Sequence, residues 1–244
     1  MDKKFHFRQN YGLFFGALNQ NKPHKHYAVQ IGMSLSSAFR LTVDDKIIET
    51  NTCFINSNQK HQLINEGNQL TILINPISRI GHYLILKQKE EQGFELNTHL
   101  SAAFKKVLEN YIRYQSFEKL CLDIHLLLNQ STDDYQKEYY VEDDRILNAI
   151  EYLDKNFDRV VSLEEIAATC FLSESRFLHL FKEKTNISFR RYQLWNKIVK
   201  SLPVLASQSI TTTAHQLGFS DSSHYTRTFK ETFGITPKFI ASSK

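Results

Sequence analysis

The chain has 244 residues, room for two ordinary domains. Hydrophobic residues make up 41% and the formal net charge is +4, so packed cores rather than disorder are the default expectation and charge alone names no partner. Three widely spaced cysteines, Cys53, Cys121 and Cys170, contain no C-x-x-C pair, which argues against a disulfide framework and for a reducing compartment. The first fifteen residues hold only a brief apolar run before Gly16, so neither a signal peptide nor a membrane span is expected, and a cytoplasmic location is.

In chain order, the stretch from Phe5 to about Leu96 reads as short β-rich runs separated by polar turns: residues 27–33, 38–43, 53–56, 69–74 and 82–86. A spacing of about ten residues predicts a β-sandwich or barrel and not alternating β and α units. From Thr98 to about Gln130 the period becomes helical. Leu100, Phe104, Val107, Leu108 and Tyr111 form one apolar stripe, and Leu120, Ile124, Leu127 and Leu128 a second. Such stripes suit packing onto the β-rich part and pairing of two copies equally. Residues 131–141 are polar, acidic and aperiodic, and are expected to be a linker. The expected organisation is therefore a β-rich domain over 1–97, a helical segment over 98–130, the linker, and a helical domain over 142–244.

The last part can be parsed by its caps. Asp143 or Asp144 starts a helix running to about Phe157, and Ser162 with Glu165 forms an S-x-x-E box for a short one ending near Thr169. Ser173 caps a helix through about Thr185. A long helix spans Phe189 to roughly Leu205, and Ser209 caps another that stops at Gly218. Asp221 begins the next, ended by Gly234, and Thr236-Pro237 opens a last short helix, seven in all. This region is also where the charge concentrates. From Ser173 onward there are eleven Lys and Arg residues against four acidic ones, a local excess of seven.

The segment repeats itself at about 48 residues. Phe181-Lys182-Glu183 recurs as Phe229-Lys230-Glu231, Ile187-Ser188 as Ile235-Thr236, and Ser162-Leu163 as Ser209-Ile210, with one extra residue in the second turn. Each copy, about 162–185 and 209–233, is a short helix, a tight turn and a longer helix, the order of a helix-turn-helix unit. Phe177 and Phe181, like Tyr225 and Phe229, are spaced to anchor the longer helix inward. Opposite them lie Ser175, Arg176 and His179 in one copy and Ser223, His224 and Arg227 in the other, donor-rich side chains suited to base edges. The connecting helix, about 17 residues and so about 25 Å long, is a plausible spacer for two helices entering grooves roughly 34 Å apart.

These residues resemble the AraC/XylS family of bacterial transcription regulators over about Arg145 to Ser242. The resemblance rests on Ser162-Leu-Glu-Glu-Ile-Ala, on Leu172-Ser-Glu-Ser-Arg-Phe-Leu-His-Leu-Phe-Lys182, on Arg191-Tyr192 and Trp195, and above all on the run from Gly218 through Phe219-Ser-Asp-Ser-Ser-His-Tyr-Thr-Arg-Thr-Phe-Lys-Glu-Thr-Phe-Gly-Ile-Thr to Pro237. It implies a non-enzymatic regulator of double-stranded DNA with an α+β architecture: an N-terminal cupin-like barrel with trailing amphipathic helices, then the seven-helix domain with its two helix-turn-helix units. It implies base contacts from Ser175, Arg176 and His179 in one major groove and from Ser222, Ser223, Thr226 and Arg227 in the next. Lys182, Arg190, Arg191, Lys230 and Lys238 are then phosphate contacts. A small-molecule effector in the barrel, contact with RNA polymerase and a homodimer belong to the same expectation. Three departures stand out: Asn186 where glycine is usual, Asn196 near a commonly apolar position, and Pro203, which predicts a kink or early end of the long helix.

In the β-rich half, His24-Lys-His26-Tyr-Ala-Val-Gln30 followed by His61-Gln-Leu-Ile-Asn65 is similar to the H-x-H-x3-E/Q and H-x3-N pattern by which cupins bind a divalent transition metal. The glycine and proline usual before the later histidine are absent, and a pocket pair without metal fits the same pattern. Two other functions compete with the regulator. A cupin-type metalloenzyme with a DNA-binding tail needs an acid or base beyond these histidines, and an architectural DNA binder needs a larger, more even charge.

Overall fold

The structure is a computed structural model that describes residues 3–19, 21–35, 37–89, 94–132, 135, 143–205 and 207–241. The expected linker, 131–141, lies outside the described residues apart from 131, 132 and 135. The chain divides into two compact units, Met1–Glu138 and Tyr139–Lys244.

The first unit opens with β1 (Lys4–Phe7), β2 (Tyr11–Leu18), β3 (Val29–Ser34), β4 (Phe39–Val43), β5 (Lys46–Thr50), β6 (Thr52–Ile55) and the long β7 (His61–Ile74). All neighbours are antiparallel in the order β1-β2-β7-β3-β6. The first four residues of β7 pair instead with β4, whose hairpin to β5 turns through Asp44 and Asp45, both left-handed. One strand thus serves two arms of a curled sheet. The cupin-like barrel expected from the sequence is present as a barrel-like sheet that does not close: among the described residues, β1, β5 and β6 each pair on one side only.

Strand alternation splits the sheet into two faces. One face carries Tyr11, Leu13, Phe15, Val29, Ile31, Met33, Leu70, Ile72 and Ile74, all buried in one cluster with α1 (Arg79–Lys89), α2 (Thr98–Tyr114) and α3 (Phe117–Gln130). The two helical stripes read in the sequence, Leu100 to Tyr111 and Leu120 to Leu128, are thereby used up on the chain's own sheet. The opposite face turns Phe39, Cys53 and Leu63 inward around Gly32, where an added Cβ would lie 2.8 Å from the Cys53 sulfur.

Residues 82–86, expected as a strand, lie inside α1. The run HYLIL lacks an alternating pattern. Its buried neighbours Ile80, Leu84 and Gln88 recur every four residues, and the Ser78 hydroxyl accepts from the Gly81 N–H at 3.1 Å to start the helix.

The second unit is α4 (Asp144–Lys155), α5 (Leu163–Thr169), α6 (Glu174–Thr185), α7 (Phe189–Leu205), α8 (Ile210–Gln216), α9 (Ser222–Phe233) and α10 (Pro237–Ala241). Asp143, Ser162, Ser173, Ser209 and Asp221 are the N-caps, and Asn186 and Gly234 end α6 and α9 in the left-handed conformation. The S-x-x-E box is half formed. Ser162 accepts from the Glu165 N–H, but the Glu165 carboxylate goes to Arg159 and Tyr152, and the Arg159 guanidinium holds it down at about 2. The long helix does not end early at Pro203: it passes the proline in its last turn and stops at Leu205, so only one hydrogen bond near an open helix end is lost.

Both turns close alike. The Leu172 N–H reaches the Ala167 carbonyl and the Phe219 N–H the Ala214 carbonyl, each at 3.0 Å, past a left-handed residue, Phe171 (φ 55°) in one copy and Gly218 (φ 66°) in the other. Phe171 is 95% exposed, so its ring gains nothing for a backbone strained by roughly 1–2 kcal/mol. At Gly218 a Cβ would sit 2.3 Å from the Asp158 carbonyl oxygen. Substitutions at these matched positions are therefore expected to act with opposite signs. Phe171→Gly should raise stability by up to about 1 kcal/mol, and Gly218→Ala should lower it by about 1–3 kcal/mol or more. Urea midpoints of the two variants decide this; a destabilised Phe171→Gly would show that the exposed ring has a role in folding.

Candidate nucleic-acid interface and histidine pocket

In α6 the side chains of Phe177 and Phe181 are fully buried, with rings 5.5 Å apart, and in α9 Tyr225 and Phe229 repeat the arrangement at 5.8 Å. A helix that buries i and i+4 must present the opposite face to solvent. That face carries Ser175, Arg176 and His179 on α6, and Ser223, His224 and Arg227 on α9, all exposed, with Ser222 and Thr226 half-buried at its edge. The repeat aligns Ser175 with Ser223, Arg176 with His224, and His179 with Arg227. Thr226 matches Leu178, which is 39% exposed.

Lys182, Arg190, Arg191, Lys230 and Lys238 are exposed as well, and among the described residues none of their side chains makes an ion pair or hydrogen bond. Other cations of this unit are engaged: Lys184 with Glu183, Lys200 with Asp154, and the buried Lys197 with the Gly218 carbonyl and the face of Phe219.

Between α6 and α9, α7 fixes both. Phe189 and Tyr192 meet Phe181 edge-on, while farther along Trp195 packs on Phe233 and Ser201 accepts the Tyr225 hydroxyl at 2.8 Å. Asn196, at its apolar-looking position, is buried and donates to the Leu153 carbonyl, so its amide is satisfied.

In the first unit, His24, His26 and His61 are all buried, and one ring nitrogen of each lies within 4.8 Å of those of the other two. His24 and His61 pair across an isolated antiparallel bridge, each N–H 2.9 Å from the other's carbonyl. Each Nδ1 lies against a backbone carbonyl: His24 on Lys22 at 2.8 Å, His26 on Ala28 and His61 on Gln59, both at 2.9 Å. His26 Nε2 faces Gln30 Oε1 at 3.2 Å, and His61 Nε2 has no hydrogen-bond partner among the described residues. Burial disfavours the charged rings. It pushes His24 down to about 3 and, with the nearby His26 and His24 rings adding to it, His61 to about 2; burial also lowers His26.

The family model described as a helix-turn-helix domain matches residues 166–241, which take in both turns and both exposed faces. The C-terminal unit is an AraC-type helix-turn-helix domain.

Curated relatives of the AraC-type domain include the regulatory protein PocR of Salmonella typhimurium, 30% identical over 98 residues that make up 39% of this chain and 32% of PocR. The transcriptional activator RhaS of Klebsiella pneumoniae is 27% identical over 64% of this chain and 51% of its own. The chain thus spans about a third to a half of these two. The probable transcriptional regulator LumQ of Photobacterium leiognathi is 22% identical over 88% of this chain and 89% of its own. In fold, apo ToxT of Vibrio cholerae covers 97% of this chain and 98% of its own with a TM-score of 0.60 at 14% identity. A ToxT structure bound to an unsaturated fatty acid covers 96% of each chain with a TM-score of 0.58 at 12% identity.

Within the AraC-type domain, the residues singled out in the sequence all reach the surface. His224, already placed on this face by the sequence, has its ring 5.3 Å from that of Phe219. One more residue belongs to the same faces. Leu178 is marked only by exposure, because an isolated leucine on an amphipathic helix reads as core. The four pocket residues of the other unit, His24, His26, Gln30 and His61, do come together. Among the described residues, no helix is long and apolar enough to cross a membrane.

The buried rings set an acid limit for the first unit. An unfolded histidine titrates near 6.5, whereas these stay neutral down to about 3 and about 2. Between those values the unfolded chain binds more protons than the folded one, so stability is full above about pH 6.5 and falls as the pH drops. The expected slope is about 1.4 kcal/mol per pH unit for each ring. Urea midpoints of the first unit at pH 7.5 and 5.0, in chelator, should differ accordingly, and His61→Gln should flatten the dependence. A midpoint independent of pH would mean the rings are protonated in the fold.

Proposed function

We propose that this chain is a sequence-specific transcription regulator that reads double-stranded DNA and responds to a small-molecule effector. The observation that carries it is the pair of matched, exposed, donor-rich helical faces held on one connecting helix. In this reading Ser175, Arg176 and His179 meet bases in one major groove, and Ser222, Ser223, Thr226 and Arg227 in the next. Lys182, Arg190, Arg191, Lys230 and Lys238 meet phosphates; their charges are unspent among the described residues, as electrostatic steering requires. Regulation through RNA polymerase is part of the proposal.

The first unit is the sensor. Its support is the ToxT-like fold, which holds an unsaturated fatty acid in ToxT itself, and the polar pocket of His24, His26, Gln30 and His61, which we assign to the effector or to a divalent transition metal. Two copies would pair through the outer sides of α2 and α3, where Ile112, Tyr114, Leu122 and Leu126 are exposed after the inner stripes are buried.

Selection of binding sites from random duplexes tests the reading. The selected site should be preferred over random DNA by about 10³ or more. Arg227→Ala should cost about 1–3 kcal/mol at that site and relax base choice at one position. Lys230→Ala should instead weaken all sequences alike and reduce the salt slope by about 1. An Arg227→Ala variant that weakens every duplex equally would move Arg227 to the phosphate group, and failure to enrich any site would remove the reading.

A further inference from the structure

We propose that Leu178 sets base choice at one position of the DNA site, its exposed side chain meeting the C5-methyl group of a thymine in the major groove. The inference rests on the DNA-reading role assigned above to α6, and it adds a contact that the polar residues of that helix do not supply.

Among the exposed side chains of α6, which include Glu174, Ser175, Arg176, His179, Lys182 and Glu183, only Leu178 has no polar atom. It is 39% exposed, while its neighbours Phe177, Leu180 and Phe181 are buried. Those three already hold the inner side of the helix, so the fold does not call on Leu178. Residues three and four apart are neighbours on a helix surface. Leu178 therefore stands between Ser175 and Lys182 on one strip, with His179 next in the chain. A duplex that reaches the serine with a base and the lysine with a phosphate covers the leucine between them.

What a leucine can recognise there is narrow. Of the base edges in the major groove, thymine alone carries a methyl group; guanine and adenine present acceptors, and adenine and cytosine amino donors. Set against leucine, those polar atoms lose water and gain no partner, which weakens binding. Against thymine the same side chain removes two apolar groups from water. The choice is made as much by the hydrogen bonds Leu178 cannot form as by the contact it makes. Its repeat partner, Thr226, is half-buried and carries a hydroxyl beside its methyl, so it can answer either a donor or an acceptor. Matched steps of the two recognition helices thus follow different rules, and the strict demand for a methyl belongs to α6.

The test uses the full chain and the duplex selected from random sequences. His179→Ala first maps which half of the site α6 reads. Each thymine of that half is then replaced singly by deoxyuridine, which removes the methyl and leaves pairing unchanged. One replacement should weaken wild-type binding by about 4-fold, the worth of one buried methyl-sized group. Leu178→Ala should bind the thymine duplex more weakly by a similar factor and no longer distinguish thymine from deoxyuridine at that position, so the two losses do not add. With cytosine placed there, 5-methylcytosine should recover part of the wild-type affinity. Leu178→Gln should move the preference at the same position to adenine, whose edge a glutamine bonds twice. Circular dichroism should show the fold intact in both variants. A half-site without thymine, deoxyuridine tolerated at every thymine, or a deoxyuridine effect unchanged in Leu178→Ala would each overturn the inference while leaving DNA reading in place. Failure to enrich any site would remove the underlying reading, and this inference with it.

Discussion

The outward chemistry of the AraC-type domain depends on the burial of two aromatic pairs, Phe177 with Phe181 and Tyr225 with Phe229. Four fully buried rings at i, i+4 spacing leave each helix a single rotational setting, because turning either one would expose large apolar surface at about 1.5–3 kcal/mol per side chain. The same setting puts residues 175, 176 and 179 of α6, and 223, 224 and 227 of α9, on the solvent side. Tyr225 adds a directional tie. Its buried hydroxyl needs a partner and finds Ser201 on α7, so the setting of α9 is referred to the helix that also carries Phe189 and Tyr192 against α6. Core packing and the presentation of polar groups are here one constraint seen from two sides.

The repeat preserves geometry more strictly than chemistry. Both turns close by the same pair of N–H to carbonyl bonds, and both longer helices end in a left-handed residue. The outward positions differ: Arg176 opposite His224, Leu178 opposite Thr226, His179 opposite Arg227. The left-handed position also differs, because close approach to the Asp158 carbonyl demands glycine at 218, whereas nothing crowds Phe171. On the proposed reading, one chain then offers a duplex two unlike edges, and the site it reads need not be a palindrome.

What the sequence made legible follows from how far each signal reaches. Caps, left-handed stops and i, i+4 anchors are decided within a few residues, and Ser173, Asn186, Ser209, Asp221 and Gly234 do in the fold what their types predict. The β-rich half depends on pairing between distant segments. Nothing local says that β7 divides its partners between two arms, that the sheet stays open, or that residues 82–86 prefer the turn offered by Ser78. The pocket falls between these cases. Alternation puts His24 and His26 on one face and the pattern draws in His61, but the state of each ring depends on the carbonyls of Lys22, Ala28 and Gln59, which no spacing reveals.

The two sites hold their polar groups by opposite means, each suited to the work proposed for it. On the helical faces the cations stay in water, where an unpaired charge costs little and its field reaches a duplex about a Debye length away, roughly 8–10 Å. Several acids that would neutralise such charges are occupied elsewhere: Asp143 caps α4 and holds Arg145, Glu165 holds Arg159, Asp154 holds Lys200, and Asp221 caps α9. In the pocket the rings are buried, kept neutral by that burial and held by backbone carbonyls, so that a ligand meets groups already positioned. Long-range attraction needs solvated, mobile charge, and close coordination needs buried, oriented dipoles; neither arrangement would serve at the other's position.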